Sequence, residues 1–184
     1  RLYDAAQEQA CASAALLQVA QAVVSLNDLD DILAATVRTL PILVGIKRCA
    51  LYLWDEITHH YLLSQSYGLG KMGGRLLNQP IPEGTFPLLD EVRQSGQIRL
   101  APLETDESSD WEKIAPPWHE VQSPILRSRA PLLIGIPVNI KQAFFGVLVA
   151  EEREDGRRFR RRRLEILSGI AQQAAMAIQN DLFQ

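Results

Sequence analysis

Residues Leu2, Ala5, Gln9, Ala12, Leu16, Val19, Val23 and Leu26 alternate spacings of three and four, with Gln9 the only polar member. That is an a/d seam about three and a half heptads long, and it predicts a helix over 1–26. Ala15, Ala20 and Val24 widen the apolar face, so one side can pack on the domain while another meets a partner helix. Asn27 and Asp28 read as an N-cap, and Asp30 and Asp31 suit the positive first turn of a second helix. Its buried stripe is Ile32, Leu33, Val37 and Leu40. Pro41 should end or kink it, because proline lacks a backbone donor and clashes with the preceding turn; Gly45 is a stop signal.

The period then changes to that of strands. Residues 49–54 (Cys-Ala-Leu-Tyr-Leu-Trp) are apolar on both faces, which predicts a central strand covered on both sides. A turn over 55–59 leads to an alternating strand at 61–67, followed by a Gly- and Pro-bearing loop over 68–85. Residues 86–94 read as a short helix closed by Ser95-Gly96, and 98–101 as a short strand. A long polar connection over 103–129 holds Trp111, Pro116, Pro117 and Trp118. Connections of that length are uncommon in compact domains and often serve as binding loops or lids. Leu132, Ile134, Ile136, Val138 and Ile140 form one apolar face of the next strand, and 143–150 is a second strand apolar on both faces. The last helix is expected over about 162–182, with Leu164, Leu167, Ala171, Ala174 and Ile178 on one face. The expected architecture is α+β, with the terminal helices covering one face of the sheet. Loops and the short helix roof the other, which is where small-molecule cavities form.

With 184 residues, 47% of them hydrophobic, the chain holds a sizeable core in one domain. Nineteen Lys and Arg against 22 Asp and Glu give a net charge of −3, which supplies no global attraction to nucleic acid. Two cysteines, Cys11 and Cys49, form neither a disulfide framework nor a four-ligand zinc site. No apolar run reaches the roughly 20 residues of a membrane span, so the expected location is the cytoplasm. Because the chain opens on Arg1 in mid-pattern, it is read as part of something longer.

Candidate chemistry is sparse. Gly68-Leu69-Gly70-Lys71-Met72-Gly73 matches G-x-G-x-x-G, but Pro80 and Pro82 follow where a nucleotide site needs a helix, so it reads as a loop. His59 and His60 sit at a turn, and His119 lies beside Trp118. A haem or redox reading would have only His119 and Cys49 to recruit. There is no Gly-x-Ser-x-Gly elbow and no paired carboxylate at catalytic spacing, so no catalytic role is expected of this chain. Six arginines crowd residues 157–163, and Glu104, Asp106, Glu107, Asp110 and Glu112 form their acidic counterpart. The arginines read either as an anion-binding or acidic-partner patch or as a solvated first helical turn.

Several segments, taken in order, resemble a GAF domain. They are Leu16-Leu17-Gln18-Val19-Ala20-Gln21-Ala22 with Leu29-Asp30-Asp31-Ile32-Leu33, then Arg48 to Asp55. Leu133-Ile134-Gly135-Ile136-Pro137-Val138 with Gly146-Val147-Leu148, and the terminal helix from Leu164 to Asn180, complete the set. The resemblance implies a domain over 14–184 led by a signalling or linker helix over 1–13, with an antiparallel sheet in the order 2-1-5-4-3. It implies a regulatory, small-molecule-sensing module of a signalling protein such as a sensor histidine kinase or phosphatase, with an output domain on the same polypeptide. The alternative is a ligand-free dimerisation module. Ligand contacts are implied for Ala50, Tyr52 and Trp54, for Ser66, and for Trp111, Trp118 and His119. Homodimer contacts are implied for Leu2, Leu16, Val19, Val23, Leu167, Ala171, Ala174 and Ile178. The cysteine that bilin-binding members carry near the long connection is replaced here by Trp118-His119, so no covalent bilin is expected. The cyclic-nucleotide motif and the loop cysteines of sulfoxide-reductase members are also missing. The ligand is left unassigned.

Overall fold

The computed structural model describes residues 2–24, 28–70, 79–104, 110–153 and 157–183, without the side chains of residues 2, 3, 18–24 and 157–159. The elements are α1 (Leu2–Val24), α2 (Leu29–Val44), β1 (Arg48–Asp55), β2 (His60–Tyr67), β3 (Ile81–Pro82) and α3 (Pro87–Ser95). They continue with β4 (Arg99–Pro102), β5 (Leu132–Ile140), β6 (Ala143–Glu152) and α4 (Arg157–Leu182). Two single-turn helices, Trp111–Lys113 and Pro124–Arg127, lie in the long connection. The sheet is antiparallel throughout, in the order β3-β2-β1-β6-β5-β4. This is the α+β sheet order expected, extended at one edge by the two-residue β3.

Local chemistry explains most boundaries. Asp28 caps α2 by accepting from the Asp30 N–H at 3.2 Å, and Gly45 closes it in the left-handed region, donating to the Pro41 carbonyl at 3.2 Å. The helix does not end at Pro41. Leu40 and Val44 are both buried, so packing on either side of the proline carries the last turn through it. Likewise α4 begins at Arg157, a full turn before the expected start.

Alternation along the strands feeds two cores. On one face Cys49, Leu51, Ile134, Ile136 and Leu148 meet Leu33, Val37 and Leu40 of α2 and Leu167, Ile170 and Ala171 of α4. On the other, Ala50, Tyr52, Leu133, Val147 and Val149 meet Phe86, which precedes α3, Leu88 and Val92 of α3, and Trp111. α3 approaches closely because Gly135 lies beneath it: a Cβ there would stand 2.8 Å from Val92 Cγ2. Gly146 is tighter still, since a Cβ would lie 2.1 Å from the Tyr52 carbonyl oxygen on the neighbouring strand. Gly146→Ala is therefore expected to push β1 and β6 apart and lower stability by about 1–3 kcal/mol, read as a lower urea midpoint.

α1 lies on the helical layer rather than on the sheet. Ala12 and Leu16 pack against the first core, and a Cβ at Gly169 of α4 would stand 2.6 Å from Leu16 Cδ2. The opposite face of α1 is exposed at Ala6, Ala10 and Leu17, the last at 60%.

Candidate functional site

The register of β1 sets the first group of candidate residues. Ala50, Tyr52 and Trp54 alternate onto the face roofed by α3 and the long connection, and Ser66, exposed, is paired opposite Ala50. That face is filled. Tyr52 is 1% exposed and meets the Phe86 ring edge-on, 5.6 Å between centroids. Burial pushes the Tyr52 phenol well above its ordinary pKa, with the Glu112 carboxylate adding to the effect. Trp54 is half-buried at the rim: the Arg93 guanidinium stands 4.2 Å from its ring centroid, and its indole N–H donates to Glu56 at 2.6 Å. Arg93 also donates to the Tyr61 hydroxyl and to Glu83, which accepts from the His59 ring as well, so this rim is a tied corner.

The long connection supplies the roof. Trp111 is fully buried in the second core, donates its indole N–H to Glu151 Oε1 at 3.1 Å, and lies beneath the Arg48 guanidinium at 5.1 Å. Trp118 packs at the margin of the same core. His119 is placed differently from the two tryptophans. Its N–H and C=O both bond Leu100, each at 2.8 Å, which extends the β4 edge by one bridge. Its ring lies 3.4 Å from the Ser123 hydroxyl. Since Leu100 belongs to the first core, that pairing puts His119 on the helical side of the sheet.

The residues expected at a dimer interface divide. Leu167, Ala171, Ala174 and Ile178 of α4 are buried in the first core, and Leu16 packs on Gly169 of the same chain. The side chains of Leu2, Val19 and Val23 lie outside the described residues, as do Asp106 and Glu107 of the acidic cluster.

Three of the clustered arginines turn out to be tied within the chain. Arg160 is 1% exposed and donates to the Leu126, Ser128 and Ala130 carbonyls at 3.4, 2.7 and 3.0 Å. The guanidinium thereby fastens the end of the long connection to the first turns of α4. Arg160→Met keeps the stem and deletes these bonds; it should raise hydrogen exchange selectively over residues 124–131, while α3 stays protected. Arg162 pairs with Glu165, and Arg163 with Glu152 at 2.7 Å.

An open cavity of about 560 Å³ lies at the end of the sheet, between the α2 C-terminus and the ends of β1, β2 and β6. It is flanked by a charge network that the sequence pattern did not bring forward. Glu151 and Glu152, consecutive on β6, are 5% and 3% exposed and face opposite sides of the sheet. On the roofed side Glu151 accepts from Arg48 at 3.0 Å and Trp111, and pairs with Arg153 at 3.0 Å. On the helical side Glu152 holds Arg163 of α4. Among the described residues no group of three His, Cys, Asp or Glu could hold a metal ion, and no helix is long and apolar enough to cross a membrane.

The two thiols differ sharply. Cys11 is exposed on α1, whereas burial pushes the Cys49 thiol up to about 12. One thiol per folded chain is expected to react with a thiol reagent at pH 8, and both after denaturation. Reaction of Cys49 in the folded protein would contradict this.

The sequence profile of the GAF domain matches residues 28–178. The GAF domain from an Acinetobacter phosphoenolpyruvate-protein phosphotransferase aligns with a TM-score of 0.67 at 20% identity, covering 90% of this chain and 91% of that one. Residues 122 to 287 of a methyl-accepting chemotaxis protein align at 0.66 and 14% identity, covering 92% and 99% of the two chains. The phycocyanobilin-bound GAF domain from a cyanobacterial phytochrome aligns at 0.58 and 17% identity, covering 91% and 93%. At these identities the likeness is one of fold. No curated protein matches the sequence.

Proposed function

This chain belongs to the GAF domain family, and from that premise we propose that it is a regulatory module of a signalling protein which senses a small molecule and passes its state on through dimeric terminal helices. A cytoplasmic setting and an output domain on the same polypeptide are parts of the reading. The observation that carries it is the pair Glu151 and Glu152. Through these adjacent carboxylates one strand end is tied to the roof by Trp111 and to α4 by Arg163. A ligand that binds the two arrangements of this junction unequally shifts the helices; one that binds them equally shifts nothing.

The face of α1 that remains for a partner helix is Ala6, Ala10 and Leu17, because Ala12 and Leu16 are packed inward. In a Cys11→Ser background, Leu17→Cys is expected to form interchain disulfides and Leu16→Cys is not. Absence of crosslinking at Leu17, Ala10 and Ala6 alike would remove the dimer from the proposal. A second reading, a dimerising spacer that binds no ligand, is favoured by the filled second core, where Tyr52, Phe86 and Trp111 occupy the roofed face. It predicts the same crosslinks and no ligand-dependent change in them.

A further inference from the structure

We infer that the cavity at the sheet end takes a small organic anion, a carboxylate or phosphate group carried on an apolar body; the inference rests on the sensing role and adds the ligand's place and chemical class. The volume of about 560 Å³ falls within the usual range for small-molecule sites. Val44, Ile46 and Leu69 give it an apolar wall. Lys47, Arg48, Arg153 and Arg163 supply four cationic side chains among the described lining residues, against the two carboxylates Glu151 and Glu152. Arg48 and Arg153 both converge on the single carboxylate of Glu151. Guanidinium groups suit this task because their planar fork binds carboxylate and phosphate in two-point fashion.

The location gives the anion a consequence. Arg48 and Arg153 stand on the roofed side and Arg163 on α4, so an anion drawn between them competes with Glu151 and Glu152 for the same guanidiniums. Competition on the first side loosens the anchor of Trp111, and on the second the anchor of α4. Lys47, exposed at the mouth, adds attraction that salt weakens.

The test is a titration with phenyl phosphate followed by amide NMR, with benzyl alcohol as the neutral comparison. The Gly45, Gly68 and Gly70 amides line the cavity and should shift saturably with phenyl phosphate but not with benzyl alcohol. Lys47→Glu alters an exposed side chain and should weaken binding about tenfold. Glu154 and Asp155 follow Arg153 in the sequence, and E154Q/D155N, which removes their negative charge, should tighten it. Equal shifts with benzyl alcohol, shifts at Leu88 and Trp111 in place of the cavity glycines, or no saturable shift with phenyl phosphate would each overturn the inference. If the anion fails to bind while Leu17→Cys still crosslinks, the inference falls and the dimeric module stands. If it binds and no crosslink forms, the reverse holds.

Discussion

Trp111→Ala is expected to destabilise the domain by about 3–5 kcal/mol, the range for emptying a large aromatic from a packed core. For a chain of this length that corresponds to a melting temperature lower by roughly 10 °C. The side chain is 1% exposed, so its whole volume becomes a cavity among the aromatic and aliphatic groups of the second core. The loss has a second component. Glu151 is deprived of an indole donor at 3.1 Å, and a neighbouring buried acceptor is left with fewer bonds. Trp111→Phe separates the two, since it retains most of the ring volume and deletes only the donor; it should cost about 1–2 kcal/mol. Calorimetry on the pair measures both. Equal melting temperatures for Trp111→Ala and the unaltered chain would mean that the tryptophan does not roof the sheet in solution.

The second large effect is expected at Glu151→Gln. The substitution keeps shape and removes charge, leaving Arg48 and Arg153 without the carboxylate on which both converge. Breaking a buried ion pair from one side typically costs 3–5 kcal/mol. The two arginine side chains are 19% and 21% exposed, and the solvent reaching them lowers the expectation to about 2–4 kcal/mol. Because Trp111 and both arginines meet one carboxylate, the effects of Trp111→Phe and Glu151→Gln should not add. A double-mutant cycle is expected to give about 1 kcal/mol of coupling. A coupling near zero would show that Glu151 does not link the roof to the strand end.

How far the sequence reveals all this depends on which side of a residue does the work. The long strands were legible because β1 and β6 are apolar on both faces and β5 alternates, patterns that follow from the two-residue period of a strand, whereas their order in the sheet came only from the resemblance to a GAF domain. β3 was not legible: Ile81 lies between Pro80 and Pro82, and only its pairing with Tyr61 makes it a strand. Pro41 misled because proline removes one helical bond, whereas the burial of Leu40 and Val44 is a tertiary effect. The seam of α1 was plain as a stripe, but a stripe has no label for its partner. Only the missing Cβ at Gly169 tells that Leu16 turns toward its own α4.

The site was read less well, for a related reason. Glu151 and Glu152 look like the polar end of a strand, and the apolar run does stop at Ala150. Their partners lie far off in the chain, Arg48 by 103 residues and Trp111 by 40, and sequence spacing is silent about such meetings. The arginine cluster likewise looked like one surface patch. In the fold Arg160 points into the protein against three carbonyls, while Arg162 and Arg163 take separate carboxylates.

In the proposed mechanism, occupancy near Glu151 and Glu152 changes how the terminal helices of two copies meet. The most direct measurement is the distance between spin labels on Leu17→Cys in a Cys11→Ser dimer, with and without saturating phenyl phosphate. Saturation should shift the interchain distance distribution, and at a concentration that half-saturates the unaltered dimer Lys47→Glu should suppress most of that shift. An unchanged distribution in a dimer shown to be saturated would contradict the mechanism and leave a dimerising spacer.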